Sequence, residues 1–491
     1  MGHGVSALGL ASARFVVVGL GTTGLATMRA LREIGARASG IDTSPAALEA
    51  ASAALGGDAH LHLAADADRL AEEALTGPAG SGAPDHLVVS PGVPATSPLL
   101  RRAAARGVSA WSEVELAWRL HQAGSRAGVP WLTVTGTNGK TTTVEMLAAI
   151  LRAAGREVAM VGNIGTPVID AVMAGRGDVF AVELSSFQLH LTHTVEPQAS
   201  SCLNLDADHL DWHGSMAAYH DAKARVYSGT RVACVYNVED EATREMVAAA
   251  EVQEGARAVG TTLGAPQVGQ LGVVADVLCD RAFVAGRQRE AQYLAELDDL
   301  AHLAPAGVSP HIVSNALAAA ALARAHGVAP GDVAQGLRDY PGQAHRIQHV
   351  GVVDGVAWIN DSKATNSHAA AASIAGVKEG SAVWIAGGLA KDADFADLIR
   401  HVRTRLRAVV LIGQDRRPLR SALERHAGGV PIVEVAAEDT GNVMSLAVRH
   451  AYRLARRGDT VLLAPACASM DQFADYAARG EAFIAAVEQL R

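Results

Sequence analysis

The chain has 491 residues, 49% of them apolar and 19% charged, with a formal net charge of -9; it is too long for one core, and its length suggests roughly three soluble domains. The acidic balance excludes a nucleic-acid partner, whose phosphates demand a basic face. No apolar run reaches bilayer length and no cationic segment with an apolar core opens the chain, so no membrane insertion is expected and a cytoplasmic location is. The opening Met1-Gly2-His3-Gly4-Val5-Ser6 matches a myristoylation pattern, a coincidence common to patterns this short. Cys202, Cys234, Cys279 and Cys467 are scattered without a CxxC pair, which suggests neither a disulfide framework nor a zinc site.

The first predicted strand, Arg14 to Val18, runs into Gly19-Leu20-Gly21-Thr22-Thr23-Gly24 and a helix ending near Gly35. A second strand, Ala38 to Ile41, ends at Asp42. Strand, glycine turn, helix, strand and acid make a nucleotide-binding α/β unit. His86 to Ser90 reads as a further strand closed by Pro91-Gly92-Val93-Pro94, and Gly77 to Pro84 as a solvated loop.

A second unit begins with the strand Trp131 to Thr135, which feeds Gly136-Thr137-Asn138-Gly139-Lys140-Thr141-Thr142 and a helix to about Ala154. The run lacks the first glycine of a full phosphate loop but keeps backbone amides at a helix start, Lys140 for phosphate charge and the Thr141 hydroxyl for Mg²⁺. Strands near Val158 to Val161, Val179 to Leu184 and Ala199 to Leu205 follow, then a helix around Ala217 to Tyr227. Glu183 leaves the edge of a strand beside the phosphate loop, as a metal carboxylate would or as a helix-capping acid would. Asn204, Asp206, Asp208, His209, Asp211 and His213 crowd the next strand end and suggest a second metal position. Mixed short strands are expected between Glu251 and Leu303, then a helix from Ser314 to His326.

The third unit starts near Gln343 with strands at Ala357 to Ile359, Val383 to Ala386, Ala408 to Ile412 and Thr460 to Ala464. The expected architecture is three consecutive α/β domains: residues 1–118, Rossmann-like; 119–342, with the phosphate loop; and 343–491, again Rossmann-like. Of 42 Lys and Arg residues only five are lysines, at positions 140, 223, 363, 378 and 391. A chain that takes arginine for nearly every surface cation keeps lysine where a point charge on phosphate or a deprotonatable amine is needed. Read alone, Lys223 is an ordinary helix ion pair.

The phosphate loop, Gly162-Asn163-Ile164-Gly165, Glu183-Leu184-Ser185-Ser186-Phe187-Gln188-Leu189 and Asp208-His209 resemble the Mur ligases, the ATP-dependent amide-forming enzymes of peptidoglycan synthesis. Asn360-Asp361-Ser362-Lys363-Ala364-Thr365-Asn366 and Pro465-Ala466-Cys467-Ala468-Ser469-Met470-Asp471-Gln472-Phe473 are similar to the D-glutamate-adding branch, and the motifs cover nearly the whole chain. The resemblance implies a cytoplasmic monomer acting on UDP-N-acetylmuramoyl-L-alanine and D-glutamate, with ATP and Mg²⁺ at two sites. It implies that Thr22, Thr23, Asp42, Gly92 and Asn163 hold the UDP-sugar. Gly136, Thr137, Asn138, Gly139, Lys140, Thr141, Thr142, Asn315, Arg346, Asp361 and Lys363 would bind ATP. Thr141, Glu183, His209 and a CO₂-derived carbamate on Lys223 would ligate metal, with Lys140, Glu183, His209 and Lys223 catalytic. Thr365, Lys391, Ser469 and Tyr476 would hold D-glutamate.

Three positions depart from the family pattern. His311-Ile312 stands where a His-Asn pair is usual, with Asn315 retained, which puts adenine recognition there in doubt. The basic residue often found soon after the second-strand acid is absent, and Tyr476 stands where phenylalanine is common. A nicotinamide oxidoreductase accounts for Gly19 to Gly24 with Asp42 but has no use for a second phosphate loop. A P-loop switch protein leaves Lys363, Lys391 and the Pro465 to Phe473 run unexplained. Folylpolyglutamate synthase shares the central features but lacks the N-terminal glycine-turn unit.

Overall fold

The computed structural model describes residues 9–56, 59–78, 82–303, 308–342, 344–390, 393–436 and 441–490. The chain divides into two compact units, Met1–Asp299 with Pro310–Tyr340, and Leu300–Ser309 with Pro341–Arg491. The first holds two β-sheets and the second holds one.

In the N-terminal sheet, β1 (Arg14–Val18), β2 (Arg37–Asp42), β3 (His60–Leu63), β4 (His86–Val89) and β5 (Ser109–Trp111) are parallel in the order β3-β2-β1-β4-β5. Chain order reverses beside β1. The loops after β1 and β4 therefore flank the crevice where open parallel sheets bind ligands. The expected strands are present, whereas β3 and β5 were not foreseen: His-Leu-His-Leu and Ser-Ala-Trp carry no β-branched run.

The central sheet contains β6 (Trp131–Thr135), β7 (Val158–Gly162), β8 (Val179–Glu183), β9 (Ala199–Cys202), β10 (Ala233–Asn237), β11 (Arg257–Thr261), β12 (Gln270–Val274), β13 (Val277–Asp280) and β14 (Gln292–Glu296). Their order is β14-β13-β12-β11-β10-β9-β6-β8-β7, parallel except for β12 to β14. Strand β8, Val-Phe-Ala-Val-Glu, is buried throughout, as a strand covered on both faces requires. Strand β9 stops at Cys202 instead of continuing to Leu205, because Leu203 to Leu205 turn away to brace the phosphate loop. The helix expected over Ala217 to Tyr227 is α-helical from Met216 to Ala224 and closes with a 3₁₀ turn, Arg225–Tyr227.

One apolar core joins the two sheets of the first unit through the helix Glu113–Ala123, where Trp118 meets Trp131 edge-on at 5.0 Å. The helix Lys140–Ala153 lies against the helices Pro310–Ala325 and Pro330–Asp339. At the latter contact a Cβ on Gly336 would stand 2.3 Å from Ile150 Cα, so backbone meets backbone.

The third sheet comprises β15 (Gln348–Val353), β16 (Val356–Asn360), β17 (Ala382–Gly387), β18 (Leu406–Ile412), β19 (Ile432–Glu434) and β20 (Thr460–Leu463), in the order β15-β16-β20-β17-β18-β19. Only β15 is antiparallel to its neighbour. Because β16 and β20 are adjacent, with Asn360 opposite Leu463, the loops after them emerge together. No helix among the described residues is long and apolar enough to cross a membrane.

Candidate active site

Strand β6 ends at Thr135, and the chain turns through Gly136 to Gly139 into the helix Lys140–Ala153. Gly139 is left-handed, with φ 84, and no side chain caps this helix, so its first-turn amides and positive dipole end suit an anion. A side chain at 139 is resisted twice, by the backbone angle and by Asn315, whose Oδ1 would lie 2.4 Å from a Cβ. The loop is braced from below. Asn138 N–H donates to Asn204 Oδ1 at 2.8 Å, the Asn204 amide donates back to the Asn138 carbonyl at 3.2 Å, and Tyr219 Oη and Thr137 Oγ1 share a hydrogen bond of 3.0 Å. Lys140 Nζ donates to the carbonyls of Gly136 and Thr137. Thr142 is buried in the first turn.

Glu183 closes β8 opposite Val134. The Thr141 hydroxyl donates to its Oε2 at 2.8 Å and the Asn163 amide to its Oε1 at 2.9 Å. One buried carboxylate thus joins a phosphate-loop hydroxyl to the loop after β7. A hydroxyl and a carboxylate at this separation, beside backbone donors for phosphate, suit a hard divalent cation carried with a triphosphate.

Lys223 is 2% exposed. Its Nζ donates to the Gly136 carbonyl at 2.7 Å and lies 4.8 Å from the Tyr219 ring centroid. Burial, and next the charge of Lys140, push its amine down to about 7, so neutral pH leaves a large share uncharged and nucleophilic. His209 is itself left-handed, with φ 52, and heads the short helix Leu210–His213; its ring meets Phe187 edge-on at 4.8 Å.

The crowded run from Asn204 to His213 disperses. Asn204 is spent on the phosphate loop, the Asp206 N–H donates to Thr137 Oγ1, and Asp211 points to solvent. His213 is buried against Ser186 Oγ at 2.9 Å, and burial followed by His190 holds its imidazole down at about 4. Among the described residues no group of three His, Cys, Asp or Glu is gathered for a metal. Within this segment Asn204, the Asp206 backbone and His213 serve the framework, whereas Asp208, His209 and Asp211 stay exposed.

Along the N-terminal sheet edge, Asp42 Oδ2 accepts from Leu20 N–H at 2.7 Å and Oδ1 from Ser44 N–H at 2.8 Å, fixing the glycine turn against β2. Thr22 and Thr23 begin the helix Thr22–Glu33, and Gly92 is exposed after β4.

In the second unit, Asp361, Lys363 and Thr365 follow β16, Ser469 follows β20, and Tyr476 begins the helix Tyr476–Glu488. Burial pushes the Asp361 carboxyl up to about 6, against the Ser373 hydroxyl and the charges of Arg346 and Lys363 that pull it down. Lys363 Nζ lies 5.8 Å from the Tyr476 ring centroid. Lys391 lies outside the described residues.

Arg479 escaped the sequence reading. Fully buried, it donates to Ser362 Oγ at 3.0 Å, to the Ser362 carbonyl at 2.8 Å and to the Cys467 carbonyl at 3.1 Å, while the Ser362 hydroxyl reaches the Tyr476 carbonyl at 2.7 Å. It knits the loops after β16 and β20 to the last helix. The available signal was phase: Arg479 shares the buried stripe with Phe483, Ala486 and Val487.

Three family models match in succession: the MurD-like N-terminal domain of the Mur ligases over residues 13–112, the Mur ligase middle domain over 134–323 and the Mur ligase glutamate ligase domain over 345–467. The chain belongs to the Mur ligase family. This Mur ligase is 53% identical to a UDP-N-acetylmuramoylalanine--D-glutamate ligase of Streptomyces avermitilis, over 96% of the chain and 97% of that protein. It is 46% identical to the protein of the same name from Mycolicibacterium smegmatis, over 97% and 96%. Among solved structures it resembles a UDP-N-acetylmuramate-alanine ligase of Thermotoga maritima, with a TM-score of 0.53 at 17% identity over 98% of this chain and 100% of that one, a likeness of fold. The departure at position 312 acquires a setting here. Ile312 is 6% exposed in the helix Pro310–Ala325, whereas Asn315 faces the phosphate-loop glycine.

Proposed function

We propose that this Mur ligase joins D-glutamate to UDP-N-acetylmuramoyl-L-alanine in peptidoglycan precursor synthesis, consuming ATP. The reading is carried by its 53% identity, over 96% of its length, to a relative bearing that name. A substrate carboxylate oxygen attacks the γ-phosphorus and ADP departs, giving an acyl phosphate. The D-glutamate amine then attacks the acyl carbon, phosphate leaves with the carbonyl–oxygen bond it held, and the amine proton passes to solvent or a nearby base.

Within that reading the phosphate loop from Gly136 to Thr142 cradles the triphosphate, with Lys140 on its charge, Asn315 over its glycine, and Arg346, Asp361 and Lys363 as further ATP contacts. Mg²⁺ would supply charge neutralisation between two reacting anions. Thr141, Glu183 and His209 would hold it, joined by Lys223 once its amine has taken up CO₂ and become an anionic carbamate. The depressed basicity of Lys223 supports that step, because only the neutral amine reacts. Thr22, Thr23, Asp42, Gly92 and Asn163 would hold the UDP-sugar, and Thr365, Lys391, Ser469 and Tyr476 the amino acid. The partition into residues 1–118, 119–342 and 343–491, a monomeric state and a cytoplasmic location complete the proposal.

The test is phosphate release with UDP-N-acetylmuramoyl-L-alanine and a panel of D- and L-amino acids, with the product weighed by mass spectrometry. D-Glutamate alone should drive turnover. Turnover with L-glutamate on a folate, or NADH consumption, would overturn the assignment.

A further inference from the structure

Trp212 takes no part in the roles assigned above, yet it joins two of the loops that carry them. It is 8% exposed on the short helix headed by His209, and its indole Nε1–H donates to the carbonyl oxygen of Pro91 at 2.9 Å, 121 residues away. Its ring packs on Phe187, with centroids 4.6 Å apart, and Phe187 in turn meets the edge of the His209 ring at 4.8 Å. Two residues on, Gly214 approaches the same N-terminal loop so closely that a Cβ would lie 3.2 Å from Thr96 Cγ2. Both sheets involved belong to one compact unit.

The peptide group that accepts the indole hydrogen bond is the one between Pro91 and Gly92. The chain has no cis peptide bond among the described residues, and in a planar trans peptide the N–H points opposite to the C=O. Fixing the Pro91 carbonyl toward Trp212 therefore aims the Gly92 N–H the other way. Gly92 itself is exposed at the carboxyl edge of the N-terminal sheet, beside the turn that follows β1. A carbonyl that accepts a hydrogen bond also polarises its peptide, which strengthens the N–H as a donor. Without a side chain at 92, that donor is open to an anionic or other acceptor oxygen.

We infer that Trp212 is a positioning residue for the nucleotide-sugar substrate: its indole N–H orients the Gly92 amide toward the substrate's phosphate or sugar oxygens, and its ring ties that loop to the one bearing His209. The inference rests on the proposed UDP-sugar site and deepens it. It accounts for a tryptophan in a segment of otherwise polar residues, Asp208 to Ser215 apart from Leu210, where ring area alone would be served by phenylalanine.

Trp212→Phe keeps an aromatic ring beside Phe187 and deletes the indole donor, together with part of the ring area that meets His190 and His213. The KM for UDP-N-acetylmuramoyl-L-alanine should rise by about 5- to 10-fold, the loss of one oriented hydrogen bond. KM for ATP and for D-glutamate should stay within about twofold, and kcat should change less than that first KM. A merely structural role would lower the melting temperature and the active fraction without this selectivity, so equal changes in all three KM values overturn the inference, as does an unchanged KM for the nucleotide sugar. If the native enzyme fails to turn over that substrate, the functional reading has failed instead. A second measurement needs no loss of stability. The Trp212 indole ¹⁵N–¹H resonance, assigned by its absence in the phenylalanine variant, should move when UDP-N-acetylmuramoyl-L-alanine is added and stay in place when D-glutamate is added. A resonance indifferent to the nucleotide sugar overturns the inference.

Discussion

The Lys223 amine, 2.7 Å from the Gly136 carbonyl and wholly enclosed, is charged in the company of Lys140 at an energetic disadvantage. Arginine at 223 would keep the charge and lose the reactive amine. Lys223→Arg should therefore lower kcat by about 100-fold or more, the scale for losing an electrostatic contributor to the transition state. Activity of the native enzyme should fall in CO₂-stripped buffer and return with bicarbonate. Because the neutral amine is the reactive form and its midpoint lies at about 7, the bicarbonate requirement should sharpen below that pH. Normal turnover by the arginine variant would restore the simple ion-pair reading.

Burial disfavours the charged form of Asp361 as well. Its carboxyl is raised from 3.8 to about 6 by burial, so between those values the folded protein binds a proton that the unfolded chain has released, and stability declines as pH climbs through that window. The deficit then persists at neutral pH. Asp361→Asn should accordingly abolish activity yet raise the melting temperature of its unit at pH 7.5 by roughly 2–4 °C, with the gain shrinking toward pH 4. A gain that does not shrink would point to packing instead of ionisation. Single residues were legible in the sequence when their chemistry required a local string: Lys140 sat in a glycine loop and Glu183 at a strand end. Arg479 and Trp212 were invisible because each acts on a backbone carbonyl, which every residue supplies, at a distance no spacing rule measures.

Among elements, the phosphate loop and its helix depend on two residues that approach from different sides. Gly139→Ala must tolerate φ 84 and displace Asn315, a strain of about 1–3 kcal/mol. The kcat/KM for ATP should fall by roughly 5- to 150-fold by that estimate, with the KM for D-glutamate little moved and the circular dichroism spectrum preserved. Ile312 lies one turn earlier on the helix that carries Asn315, and it is buried. Ile312→Asn should destabilise by about 1–3 kcal/mol, the cost of burying an amide without a partner, and leave the ATP to GTP ratio of kcat/KM unchanged. A sharpened ratio would show that position 312 reads the base after all.

The elements legible in sequence were the long apolar strands and the helices that follow glycine turns. Strands β3, β5 and β19 were missed because three or four residues give no measurable alternation, and the longer β10 and β15 were missed as well. β9 was drawn too long for a related reason. Leu203-Asn204-Leu205 is apolar enough to read as strand, but the Asn204 side chain finds better partners in the phosphate loop.

At the scale of the molecule, each compact unit has its own cores: in the first unit one runs through both sheets and another covers a face of the N-terminal sheet, and in the second unit two cover the faces of the third sheet. Calorimetry should resolve two transitions. Saturation with UDP-N-acetylmuramoyl-L-alanine at 100 times its Kd should stabilise the first unit by about 2.7 kcal/mol and leave the second where it was; equal shifts of both would argue that the second unit shares the nucleotide-sugar site.

Three α/β layers were legible from alternating strands and helices, whereas the fusion of two sheets into one unit was not. That fusion depends on the helix Glu113–Ala123, whose residues give no hint that both of its neighbours are sheets. The meeting of Gly336 with Ile150 has a mechanical consequence. At that point the two helices have no side-chain cushion between them, so sideways displacement of the helix behind the phosphate loop is resisted there. The helix behind the phosphate loop is thus anchored along its side, which leaves its leading end fixed in place for the ligand.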